Sequence, residues 1–160
     1  MRSNVQHKIE PDHVELAFPQ IVIALNPLGI ASMTRDMELI RRILLEIKSR
    51  KNAKPRQVSL DGIEQSTLLR HVEMLCRSGF VETQGDIHYS SMIGEPDMIL
   101  VTDMSWAGHD FLAVLENEGV WNKLKSSISP ANLASMPLDV MKTVGVGLLT
   151  KWAMGEVGLG

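Results

Sequence analysis

Cationic side chains are missing from one long stretch of this chain. Between Glu82 and Glu118 there is no Lys or Arg, while Glu82, Asp86, Glu95, Asp97, Asp103, Asp110, Glu116 and Glu118 all fall there. Such a segment repels a polyanion, so any nucleic-acid affinity has to come from elsewhere in the chain. Cysteine is nearly absent too. A lone Cys76 cannot make an internal disulfide and suits a reducing compartment, so a cytoplasmic location is expected. Aromatic residues are 4% against 10 methionines, which predicts an aliphatic and thioether core. No run reaches the roughly 18 apolar residues of a membrane span. The nearest, Leu16 to Ala31, is broken by Pro19, Gln20, Asn26 and Pro27, and acids precede it where a signal peptide carries positive charge. No membrane association is expected.

The chemistry of common active sites is equally thin. His71 and Cys76 lie five apart on a predicted helix and do not share a face well. His88 and His109 fall on other elements, so no convergent metal-ligand spacing exists. His71 is expected to pack or hydrogen-bond at the core edge. Ser105, His109 and Asp110 have the residue types of a hydrolytic triad, but neighbours on one helix cannot place a base in line between nucleophile and acid. Gly145-Val-Gly147 is too short to cradle phosphate. The expectation is a non-enzymatic protein without metal, cofactor or small-molecule substrate.

What is present is a chain of 160 residues, 44% apolar and 22% charged, ample for one domain with a real core. Residues 1–32 lack helical periodicity. Their one regular candidate is an extended piece, Ile21 to Leu25, and they read as a flexible or loosely docked extension, or as a non-native segment upstream of a natural start at Met33. From there Thr34 is a candidate cap for a helix with Met37, Ile40, Leu44 and Ile47 on one face. A short extended piece, Gln57 to Leu60, follows. Asp61 and Glu64 stand at capping-box spacing, predicting a helix from about Gly62 that buries Leu68, Leu69, Val72 and Leu75 and stops at Gly79.

Phe80 to Thr83 reads as a strand, Ile87 to Tyr89 as a return and Asp97 to Val101 as another strand. Ser90 to Pro96 is a loop. Thr102 is a candidate cap for a third helix with Gly108, Phe111 and Leu115 on one face, Gly108 permitting close packing. Val120, Trp121, Leu124 and Ile128 predict a short helix ended by Ser129-Pro130. A last amphipathic helix is expected from about Pro137 to Trp152, folding back on the first helix or mediating a homodimer.

This order predicts an α+β, winged-helix-like domain over residues 33–128: a three-helix core with a small antiparallel β wing, followed by C-terminal amphipathic helices in 129–160. The hairpin from Phe80 to Val101 would be the wing, and the helix ending at Ser78 would take the recognition position. Five stretches also carry a resemblance: Met33-Thr-Arg-Asp-Met-Glu-Leu-Ile-Arg-Arg-Ile-Leu-Leu45, His71-Val-Glu-Met-Leu75, Ser78-Gly-Phe-Val81, Val101-Thr-Asp-Met-Ser-Trp-Ala-Gly-His-Asp-Phe-Leu112 and Val120-Trp-Asn-Lys-Leu-Lys125. Together they resemble a bacterial and phage family, domain of unknown function number 2513. The resemblance implies a winged-helix-like fold and a phage or prophage setting, and it brings no catalytic residues.

The net charge of −3 conceals a strong asymmetry. Thr34 to Val81 carries ten basic and six acidic residues, against the cation-free stretch that follows. The cluster Lys48, Arg50, Lys51, Lys54 and Arg56 is a candidate grip on phosphates, or an ordinary solvated helix end. Gln65, Thr67 and Arg70, at the start of the second helix, are candidates for reading base edges of duplex DNA. Against this stand the acidic wing and the Pro-broken segment from Asn52 to Leu60, too short for the usual first helix of a helix-turn-helix. Two functions therefore stay open: a regulator-like nucleic-acid binder, or an adaptor whose acidic wing face docks a protein partner.

Overall fold

The first helix forms where the apolar period requires it. A computed structural model describes residues 34–90 and 94–158. The extension, its extended piece and the start at Met33 lie outside these residues. Helix α1, Met37–Lys48, buries Met37, Leu39, Ile40, Ile43, Leu44 and Ile47. Its cap is Asp36 rather than Thr34: the Asp36 carboxylate accepts the Glu38 and Leu39 amides at 2.9 and 3.1 Å.

Helix α2, Gln65–Arg77, starts three residues later than the capping-box spacing predicts, because Glu64 itself is the cap. Asp61 and Gly62 form a turn, with Gly62 at φ +76°, where the usual motif has its additional helix. Gly79 does stop α2. At φ +72° it donates its amide to Cys76 and Phe80 donates to Leu75, a pairing that satisfies the last carbonyls and turns Phe80 into the core.

Strand β1 is Val81–Thr83, β2 His88–Tyr89, β3 Pro96–Met98 and β4 Val101–Met104. β4 pairs antiparallel with β1, with Val81 opposite Met104 and Thr83 opposite Val101 across an irregularity. On its other edge β4 meets Arg56 through a single bridge to Val101. The hairpin β2–β3 is a separate ladder, with His88 opposite Met98. Residues 101–104 are thus a strand and not the beginning of the third helix. That helix, α3 (Trp106–Glu116), is capped by Ser105 rather than Thr102. Ser105 Oγ accepts the Gly108 amide at 3.1 Å and donates to Gly79 O at 2.6 Å, so the hydroxyl of the Ser/His/Asp cluster is engaged in holding the helix.

Helix α4, Glu118–Ser127, follows its predicted course. Ser129-Pro130 ends it and also opens α5, Pro130–Ser135, with proline at an early position where its missing N–H is harmless. Helix α6, Leu138–Glu156, packs on α3 and α4, which corrects the expectation of a return to α1. One continuous core results. Phe80 stacks on Phe111 with centroids 4.9 Å apart, and Leu133, Leu138 and Met141 from the last two helices join the α1 and α2 side chains. Burying each large apolar side chain contributes roughly 1.5–3 kcal/mol.

Two glycines let the helices approach. A Cβ at Gly108 would strike the Phe80 carbonyl oxygen, and one at Gly145 would strike the side chain of Val114. Beyond Leu149 every α6 residue is exposed, Trp152 at 49%; Val157 just after the helix, at 67%, and Val140 and Val144 within it add to the uncovered surface. Among the described residues no helix is long and apolar enough to cross a membrane.

Candidate functional site

The start of α2 is shaped by an anion. The Glu64 carboxylate accepts the Ser66 and Thr67 amides at 3.1 and 2.9 Å, and also both hydroxyls. The bond from the Ser66 hydroxyl and the two amide bonds pull its pKa down to about 2. A fixed negative charge therefore stands among the side chains expected to read base edges. Gln65 is exposed at the helix start, while Thr67 is half-buried with its hydroxyl on Glu64.

Arg70 is not free either. It reaches Glu73 at 3.3 Å and Glu95, in the segment before β3, at 3.6 Å. Glu73 is the centre of this network. It is 7% exposed and accepts from Arg70, from Arg77 Nε at 2.9 Å and from the Tyr89 hydroxyl at 2.8 Å. Arg77 also donates to the Tyr89 oxygen at 2.9 Å, and Tyr89, then Glu73, raise the Arg77 pKa. The β2–β3 hairpin is thereby fastened to α2 by side chains that no local sequence pattern marks. Beside it, burial and then Glu73 push the Cys76 thiol up to about 11. On the opposite flank His71 is buried, as the sequence predicts for a core-edge histidine. Its Nε2 accepts the Asp36 amide at 2.9 Å, and Nδ1 donates to Thr67 O at 2.8 Å, joining the starts of α1 and α2.

The basic cluster is divided by its surroundings. Lys48 is exposed but pairs with Glu116 of α3 at 2.6 Å. Arg50 turns inward, its side chain 3% exposed, and binds Glu46 at 2.8 Å and the Val101 and Gln57 carbonyls at 3.0 and 3.4 Å. As a phosphate contact it is corrected: its guanidinium is buried and taken up by Glu46 and by the Val101 carbonyl, which also accepts the Arg56 amide. Lys51, Lys54 and Arg56 are exposed and make no ion pair among the described residues. Lys48, Arg50 and Lys51 line a polar cleft of about 240 Å³ with Asp103 and His109, at the α3 end of β4. Arg70 instead engages the segment before β3. The two sets of candidate residues thus belong to different neighbourhoods of the fold.

Among the described residues no group of three or more His, Cys, Asp or Glu could hold a metal ion. Comparison with known proteins gives a family-level result. Residues 34–134 match a family described as "Hypothetical protein (DUF2513)". An uncharacterized protein of Haemophilus influenzae (strain ATCC 51907 / DSM 11121 / KW20 / Rd) is 31% identical over 122 residues, covering 74% of this chain and 98% of that protein. No solved structure gives a significant match.

Proposed function

The chain belongs to the DUF2513 family of hypothetical proteins, and within it we propose that this protein is a non-catalytic, winged-helix-like interaction module whose α2 and hairpin face docks a basic protein segment. The helix order, the β1–β4 pair with its Arg56 bridge, and the hairpin beyond α2 support the winged-helix reading. The observation that carries the functional reading is that both cations of α2 are already paired. Arg70 and Arg77 are bound by Glu73, Glu95 and Tyr89, while Asp61, Glu64, Glu82, Asp86 and Asp97 on and around α2 and the strands are exposed; Arg42, which donates to the Asp61 carbonyl at 3.3 Å, is the neighbouring cation. Exposed charge of one sign steers an oppositely charged partner and disfavours DNA phosphates. The outer half of α6 is proposed to serve a second copy of the chain, with Trp152 as its anchor. A cytoplasmic, phage or prophage setting goes with the same proposal.

A second reading rests on Lys51, Lys54 and Arg56, exposed and without an ion pair. They would hold a nucleic-acid backbone without reading its sequence. Fluorescence anisotropy separates the two. A labelled Arg/Lys-rich peptide and a labelled DNA duplex are titrated across a salt series, with Glu64→Lys plus Asp97→Lys in one variant and Lys51→Glu, Lys54→Glu and Arg56→Glu in another. The first reading expects salt-sensitive peptide binding that the first variant loses. It is refuted if the peptide does not bind, or if DNA binds tightly and only the second variant abolishes that binding. Light scattering tests the dimer, which Trp152→Glu should dissociate; a wild-type monomer would end that part of the proposal.

A further inference from the structure

Where α1 begins, an apolar groove of about 480 Å³ opens between the start of that helix, α4 and α5. Met37, Trp121, Pro130, Leu133 and Ala134 form its walls, and Arg35 lies along it. The charged groups around it have identifiable partners, with one exception. Asp36 is committed to the α1 amides. Glu38 accepts the Trp121 indole N–H at 3.0 Å and lies 3.5 Å from Lys125 and 3.8 Å from Arg41. Lys125 rests over the Trp121 ring, 5.2 Å from its centroid. Arg35 has no carboxylate among the described residues. One terminal nitrogen donates to Met136 O, while its Nε is buried without any hydrogen-bond partner.

A guanidinium that lines an apolar groove without a counter-ion among the described residues favours an anionic ligand there. The groove has the size and character of a small-ligand site, mostly apolar with very few polar groups. We propose that it binds a small apolar carboxylate, which pairs with the Arg35 guanidinium, the cation of the groove that has no carboxylate among the described residues, and whose aryl or alkyl body lies along Trp121 and Leu133. A charge-assisted guanidinium–carboxylate pair is the strong form of such a contact. A doubly charged phosphate would lose too much hydration against these apolar walls for one guanidinium to offset. This inference is independent of the docking face above.

The test uses the full chain carrying Trp106→Phe and Trp152→Phe, which leaves Trp121 as the single fluorophore. The probe is 3-phenylpropionate, with 3-phenylpropionamide as its uncharged counterpart. The expected result is saturable quenching of Trp121 by the acid, with the amide and an Arg35→Gln variant both at least about tenfold weaker, the scale of one charge-assisted pair. Ala134→Trp, which fills the groove and leaves Arg35 in place, should abolish binding; it decides the matter if Arg35→Gln does not fold. Equal affinity for acid and amide, no saturable quenching, or undiminished binding in Ala134→Trp would overturn the proposal.

Discussion

Three helical glycines give this fold a test in which one chemical change carries three different expected outcomes. Replacing glycine by alanine in a helix interior contributes about 1 kcal/mol of intrinsic stability. At Gly147 a new Cβ meets nothing within 4 Å, so the gain should appear almost whole, about 0.5–1 kcal/mol. At Gly108 the new methyl strikes the carbonyl oxygen of Phe80. That oxygen cannot rotate away. It accepts the Ser105 amide at 3.1 Å, and the adjoining Gly79 carbonyl holds the Ser105 hydroxyl at 2.6 Å, so α3 can move only by stretching its own cap. Overpacking costs about 1–3 kcal/mol or more. A backbone obstacle places this site at the upper end, for a net loss of about 2 kcal/mol after the intrinsic gain is subtracted. On a domain of this size that lowers the melting temperature by roughly 6–10 °C. Gly145 faces the branched end of Val114, which can yield in part, and Gly145→Ala should lose about 1 kcal/mol. Urea denaturation of the three variants against wild type is the assay. A Gly108→Ala protein as stable as wild type, or a Gly147→Ala protein that falls with it, would refute the packing described for α3.

Other expectations follow from the ionisable groups. Glu73→Gln leaves Arg70 and Arg77 with a weaker acceptor and should cost about 2 kcal/mol in urea denaturation, Tyr89→Phe about 1; no change in either would mean that the hairpin is not fastened to α2 as described. Glu64 titrates near 2 in the folded chain against an ordinary 4.5. Its depressed pKa adds stability that is fully present above the unfolded value and is lost as pH falls from about 4.5 toward 2. Glu64→Gln should remove that part of the acid dependence, and a Glu64 carboxyl that titrates by NMR near 4.5 contradicts the cap. With its thiol at about 11, Cys76 should react with iodoacetamide near pH 8 roughly a hundredfold more slowly than a free thiol. A rate equal to that of glutathione would show the site to be open.

Local rules made much of this fold legible. The buried stripe of α1, the inward face of α2 and the stop at Gly79 depend on residues within a turn or two of one another, and the structure has them where the sequence predicts. What depends on distant partners was not legible. Thr102 to Met104 has the residues of a helix start, yet β1 claims it as a strand. Arg50 stands in a basic run like any solvated helix end, and its inward turn depends on the Val101 carbonyl, 51 positions away, together with Glu46 and the Gln57 carbonyl. Arg70 looks available until Glu95 is brought alongside it. The candidate site was therefore legible as a set of residue types, whereas which of them remain free was decided by tertiary pairing.

Arg50 has one more consequence, for the free edge of β4. β4 has β1 on one side and, among the described residues, a one-residue bridge on the other, where the Val101 carbonyl accepts both the Arg56 amide and the Arg50 guanidinium. A bare strand edge is a template on which another chain can add a strand. A side chain from the end of α1 occupies that template, and its charge is matched by Glu46 so that closing the edge leaves no stranded cation. Replacing Arg50 with methionine keeps the apolar stem and removes the stopper. The expected failure is then growth rather than melting: concentration-dependent association that begins while the helices are still folded, detectable as a thioflavin signal preceding any loss of helical circular dichroism.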